Sequence, residues 1–330
     1  MNAIIRPMRN RHSEHRPISC KSVTLSPLDT QIVIEYMAFG LFGGMIGGLL
    51  GIGGSVGIIP LATIFISPDK QQLQCAAMLC NVAVASTAYR RYLKAGKIEW
   101  TFARRIVPAA IVFVLAGVAA STVIDASSFR VMFAAFLMVV AVREFRLLAI
   151  GSEHSPDDAR ELSPARGAGI GAIMGFLSGL LGIGGGVVGV PLMRAWARIP
   201  MKRAVVTSVC TMVPLAMVGA TVKSITLWNT PVDANGATMT KLAAGSAAAA
   251  SAATSTAASS ATTPSNALIP ALLIAACLIP TAMVGSWIGA TINVHVTGKA
   301  VRWVLATYLP LAAAWMAWPV IVQWLSASVK

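Results

Sequence analysis

The stretch GLLGIGGSVGIIPL, residues 48–61, returns as GLLGIGGGVVGVPL, residues 179–192. Ten of the fourteen positions are identical, at a separation of 131 residues. Each copy follows an apolar run and each ends on Pro-Leu. Glycine in a helix interior costs about 1 kcal/mol relative to alanine. Gly51, Gly53 and Gly54 in the first copy, and Gly182, Gly184, Gly185 and Gly186 in the second, therefore oppose a continuous helix. The chain specifies the same helix break twice. Upstream of each break runs a glycine ladder, Gly40, Gly44 and Gly48 in one half and Gly171, Gly175 and Gly179 in the other. Small residues at four-residue spacing form one helix face and allow close backbone packing.

The surroundings of the breaks are membrane-like. The chain has 330 residues, of which 56% are hydrophobic and 12% charged, against about 25% charged in an average soluble protein. Apolar runs at 105–125, 129–150, 267–294 and 301–325 each reach the roughly 20 residues that a helix needs to span a bilayer. The net charge of +14 does not point to nucleic acid, because Lys and Arg cluster beside the apolar runs, as in a polytopic protein. The five cysteines, Cys20, Cys75, Cys80, Cys210 and Cys277, form no CxxC pair and no Cys/His cluster, so neither a metal nor another cofactor is expected. The first 30 residues are polar and basic without an apolar core, which reads as a cytoplasmic tail rather than a secretory signal.

These features predict an all-α integral membrane protein with about eight transmembrane helices in two homologous four-helix repeats. The expected spans are 32–51, 73–92, 105–125, 129–150, 168–182, 203–227, 267–295 and 300–326. Segments 53–66 and 184–199 read as broken or re-entrant elements. The first repeat covers 31–150, a charged loop covers 151–167, and the second repeat covers 168–327. An Ala/Ser/Thr low-complexity insertion at 232–266 has no counterpart in the first half and is expected to lie outside the bilayer. With both termini inside, the cytoplasmic segments hold 18 Lys and Arg against 8 outside. That asymmetry favours a multi-pass membrane protein with a cytoplasmic N-terminus. Glu35, Asp125 and Glu144 fall near helix ends, so no proton relay is evident.

Paired helix breaks in two halves are the sequence pointer to a secondary transporter's site. A break frees backbone N–H groups, and those at a helix start attract anions. Glycine also lets a ligand approach the backbone. The doubled GLLGIGG segments, the Pro60-Leu61 and Pro191-Leu192 endings, and KRAVVTS at 202–208 together resemble the TauE/SafE family. These are the sulfite exporter-like permeases, also grouped with the toluene sulfonate uptake permeases. The resemblance covers roughly residues 32–327. It implies a polytopic inner-membrane permease for sulfite, organosulfonates or related sulfur-containing anions, with the lipid bilayer and a small anion as partners. The second-half pattern Ala204-Val-Val-Thr207-Ser208 has Cys80-Asn81 at the matching place of the first half, and Ser55 stands opposite Gly186. The candidate substrate-binding residues are thus Gly51, Gly53, Gly54, Ser55, Cys80, Asn81, Gly182, Gly184, Gly185, Gly186, Thr207 and Ser208.

Two other classes compete. Gly53 to Gly57 matches G-x-S-x-G around Ser55, the pattern of a hydrolase nucleophile, but no base is evident beyond His295 near a helix end. No enzyme and no catalytic residue is expected, and no Walker A motif accompanies the helices. A non-transporting scaffold is the remaining alternative. An anchor gains nothing from destabilising two of its helices, so the breaks favour transport.

Overall fold

The computed structural model describes residues 30–94, 99–149, 163–230 and 267–328. The tail, most of the 151–167 loop and the insertion lie outside them. The described residues form ten helices and no strand: α1 Thr30–Leu50, α2 Ser55–Phe65, α3 Lys70–Lys94, α4 Trp100–Ser121 and α5 Ala126–Ala149, then α6 Pro164–Leu181, α7 Gly186–Ala197, α8 Met201–Trp228, α9 Leu268–His295 and α10 Gly298–Ser328. Six of them, α1, α4, α6, α8, α9 and α10, are long and apolar enough to cross a membrane. The two glycine breaks fall where the sequence puts them, between α1 and α2 and between α6 and α7.

At both breaks the backbone enters a region that only glycine occupies cheaply. Gly51 and Gly53 have φ of +66° and +91°, and Gly182, Gly184 and Gly185 have φ of +74°, +69° and +83°. Gly182 closes α6 as a left-handed cap, its N–H donating to Ser178 O at 2.9 Å. The chain then doubles back. A Cβ on Gly57 would stand 2.8 Å from the Gly43 Cα, and one on Gly47 would stand 2.6 Å from Gly53 C. The short helix α2 therefore folds against α1 as a hairpin, and α7 packs on α6 in the same way.

The glycine ladders make the longest helix contacts. Gly40, Gly44 and Gly48 of α1 lie on Leu278, Ala282 and Ser286 of α9, and Gly171, Gly175 and Gly179 of α6 lie on Ile106, Ala110 and Val114 of α4. A Cβ at any of these six positions would approach the neighbouring backbone closer than 3.0 Å. The ladders also fix direction. Rising numbers on α1 meet rising numbers on α9, so these helices are parallel, as are α4 and α6. Val84 of α3 meets Ser286 of α9, and Cys75 clusters with Ala271, so α3 runs with them. The α8 helix runs with α4, since Glu99 meets Thr207 and Ser121 meets Lys223. It runs against α3, where Met78 faces Gly219 and Gln74 faces Lys223. One set (α1, α3, α9) thus opposes the other (α4, α6, α8).

This corrects one expectation of the sequence. Counting 32–51 as a full crossing placed the N-terminal side of α1 on the same face as residues 90–104. In the structure α1 turns back at its glycine break and α2 returns toward the end where α1 began. Only α3 then runs on to the far end, so Thr30 and Glu99 lie at opposite ends. The end where α3 and α9 finish and α4, α6 and α8 begin carries Arg90, Arg91, Arg104, Arg105, Arg143, Arg146, Arg166, Arg194, Arg198, Lys202, Arg203, Lys299 and Arg302. Among the described residues the opposite end carries Lys70, Arg130 and Lys223.

Candidate functional site

The two hairpins meet tip to tip. A Cβ on Gly186 would lie 2.6 Å from Gly51 O and 2.7 Å from Ile52 Cα, and one on Gly53 would lie 3.3 Å from Ile183 O. Two side chains bridge the tips. Asn81, near the midpoint of α3, accepts from the Ser55 N–H at 3.1 Å through Oδ1. Its Nδ2 donates to Ser55 Oγ at 2.9 Å and to Gly182 O at 3.4 Å. Ser208 of α8 donates to Gly51 O at 3.4 Å or Gly186 O at 3.5 Å. Each residue touches both breaks, and each is fully buried. The alignment that sets Asn81 opposite Ser208 therefore has a spatial meaning.

Ending α1 and α6 inside the protein frees backbone carbonyls that must find donors away from water. Tyr92 donates to Gly48 O at 2.7 Å, Asn293 to Leu49 O at 2.5 Å and Gln74 to Leu180 O at 3.1 Å. Sequence reasoning missed these three residues. Their only signal is a polar atom in an apolar helix facing a break, which needs the third dimension to see.

The remaining candidates divide. Gly51, Gly53, Gly184 and Gly186 sit at the tip contact. Gly54 faces Val84, and Gly185 faces Leu215 and Met174, so these two pack against apolar side chains. Thr207 is buried but turned elsewhere: it accepts from the Glu99 N–H at 3.3 Å, beside the Arg203–Glu99 ion pair at 3.0 Å. It ties α8 to the start of α4. Cys80 lies in the apolar core. Ser55 Oγ has an amide, not a base, as its partner, which gives it no activation as a nucleophile. Among the described residues no group of three or more His, Cys, Asp or Glu gathers to hold a metal.

Glu144 lies near the end of α5, where the sequence places it, and the structure adds its partner. Its carboxylate is fully buried and accepts from Arg194 of α7 at 2.7 Å, with Arg143 at 3.4 Å. It fastens the second hairpin to α5. The first hairpin has a neutral fastening, Tyr308 of α10 donating to Val56 O at 3.2 Å.

Chemically the tips offer backbone N–H groups at the starts of α2 and α7, a carboxamide and hydroxyls, with no charged side chain. Helix starts carry partial positive charge. Of these groups the Ser55 N–H is held within the protein, by Asn81 Oδ1.

Membrane-length helices around two opposed hairpins that meet in a buried polar contact define a polytopic membrane transporter. The chain belongs to the TauE/SafE family: the family model described as "Sulfite exporter TauE/SafE" matches residues 36–276. It is 32% identical over 193 residues to the probable membrane transporter protein MJ0441 of Methanocaldococcus jannaschii, covering 57% of this chain and 70% of that one. It is 26% identical over 206 residues to the probable membrane transporter protein YunE of Bacillus subtilis, covering 56% and 75%. Against the probable membrane transporter protein MamO of Magnetospirillum gryphiswaldense it is 27% identical over 198 residues, 51% of this chain but 31% of the longer relative. No solved structure matches.

Proposed function

We propose that the chain is a secondary permease that carries a small anion, of the sulfite or organosulfonate class, across the inner membrane. The observation that carries this reading is the buried contact of two helix starts, bridged by Asn81 and Ser208. A desolvated anion needs hydrogen-bond donors, and leaving it without them costs many kcal/mol. Helix-start amides supply donors without a buried carboxylate or cation. The family supports the substrate class. Residues 51–55, 81, 182–186 and 208 form the site on this reading, with Thr207 and Cys80 in supporting positions.

The two halves, α1–α5 and α6–α10, act as inverted repeats, each contributing one re-entrant hairpin. The charge distribution of the helix ends supports an orientation with the basic end in the cytoplasm. Thr30 then faces the other side, the reverse of the orientation the sequence favours. The tail's five cations, Arg6, Arg9, Arg11, Arg16 and Lys21, reduce that bias without reversing it.

The test is flux into proteoliposomes with sulfite, thiosulfate, sulfonates and carboxylates as a panel. Saturable uptake of a sulfur oxyanion, competed by its congeners and lost on closing the breaks, is expected. Folded protein that moves none of the panel would overturn the reading in favour of a scaffold.

A further inference from the structure

A second polar cluster lies away from the tips, at the end opposite the basic one. Lys223 of α8 is fully buried. Its ammonium donates to Gln71 Oε1, to Gln74 Oε1 at 3.0 Å and to Ser121 Oγ at 2.8 Å. All three acceptors are neutral and themselves buried. Gln71 Nε2 donates in turn to Ser121 O at 2.9 Å, and Gln74 Nε2 to Leu180 O at 3.1 Å. Lys70 stands at the outer edge, donating to Ser121 O at 2.8 Å and Ile124 O at 2.7 Å. Beside it Asp69 accepts from the Gln71 and Gln72 N–H groups.

We infer that Lys223, Gln71, Gln74 and Ser121 form an anion site on the path between that end and the hairpin tips. The inference rests on the permease reading for its place in transport. An ionisable side chain buried at membrane depth is costly and marks a pathway by default. Here the positive charge is hydrogen-bonded but not neutralised by a directly bonded carboxylate. Turning either glutamine amide exchanges its carbonyl for an NH2, so the cluster converts from acceptors for Lys223 into donors for an oxyanion. A compact SO3-type or similar oxyanion matches such a set of ammonium and amide donors, joined by the Ser121 hydroxyl once it leaves Val118 O, to which it donates at 2.7 Å. The cluster also adjoins the second break, since Gln74 packs on Gly182 while bonding Leu180. Nothing in the repeat requires it. At the spacing that pairs Asn81 with Ser208, Gln74 corresponds to Met201, an apolar residue. The cluster is an asymmetric addition to a symmetric scaffold.

Two measurements test this. In full-length protein with its five native cysteines replaced, a single cysteine at Ser121→Cys is modified in vesicles by an anionic and a cationic thiosulfonate reagent. The anionic reagent should react about tenfold faster, the scale on which a charged cleft concentrates its counter-ion, and Lys223→Gln should bring the two rates near parity. Absence of reaction with both reagents, or preference for the cation, overturns the site. The second measurement is sulfite flux. Lys223→Met should fold, because an apolar residue of similar length removes the buried charge, yet lose flux at least about tenfold, while Lys223→Arg retains part of it. Wild-type flux in Lys223→Met overturns the pathway role. If the wild type moves no anion but the labelling preference holds, the permease reading fails and the anion site stands. If the wild type moves sulfite but the preference is absent, the permease reading stands and the Lys223 site fails.

Discussion

Asn81→Ala should destabilise the protein far more than Ser208→Ala, although the two residues occupy equivalent places in the repeat. Asn81 makes three hydrogen bonds, at 3.1, 2.9 and 3.4 Å, and one of them satisfies the Ser55 N–H at the buried start of α2. Truncation strands that N–H and removes a donor from Gly182 O. A buried polar group left unsatisfied costs about 1–3 kcal/mol, so the loss should total about 2–4 kcal/mol with the small cavity included. Ser208 has one proton to share between two carbonyls at 3.4 and 3.5 Å, long for an O–H donor. Its loss should cost about 0.5–1 kcal/mol. The gap of roughly 2 kcal/mol is about thirtyfold in an unfolding equilibrium. Tryptophan fluorescence during denaturant unfolding in detergent reads it directly. Because both side chains join the same two tips, the double variant should depart from additivity. A Ser208→Ala protein as unstable as Asn81→Ala, or strict additivity, would refute the bridge.

Single cysteines replacing Asp125 and Lys299 should label from opposite faces, Lys299 from the cytoplasm; labelling from one face would refute the antiparallel helix sets. Deleting residues 243–263 should leave insertion and flux nearly unchanged, since polar low-complexity sequence buries little apolar area; loss of either in the deletion would assign that segment a role. Glu144→Gln strands the buried Arg194 charge and should cost roughly 3–5 kcal/mol, whereas Glu144→Gln with Arg194→Met should recover most of it. Equal instability of the single and double variants would show that the pair does not act as a unit.

Much of this arrangement was legible in the chain, for definable reasons. Glycine repeats announce themselves because no other residue accepts the positive φ at Gly53 or Gly184 without strain. The pairing of Asn81 with Ser208 was legible once the halves are aligned on the breaks with a four-residue gap after them. The direction of α1 was not. A 21-residue apolar helix looks the same whether the chain leaves by the far face or turns back beneath it, and only the packing of α2 on α1 decides. Nor was Glu144 legible, because its partner Arg194 is fifty residues away and on a helix that returns into the protein. Thr207 and Ser208 part ways for a simpler reason: adjacent residues on a helix point about 100° apart, and Thr207 meets the Glu99 N–H while Ser208 meets the tips.

The symmetry of the scaffold and the asymmetry of its fastenings have different consequences. On the permease reading, opposed hairpins entering from opposite ends allow equivalent motions to expose one central contact to either face. A perfectly symmetric chain would have no preference between them. Here the second hairpin is held by a buried ion pair, Arg194 with Glu144, and the first by neutral bonds, from Tyr308 to Val56 and between Asn81 and Ser55. Separating buried opposite charges costs more than breaking one neutral hydrogen bond. The first hairpin, held without charge, belongs to the end that also holds Lys223. An anion drawn to that cluster would arrive beside the second break, where Gln74 packs on Gly182. The departures from the repeat lie toward opposite ends, the ion pair at the basic one and Lys223 at the other, so an anion meets different surroundings on the two sides of the tips.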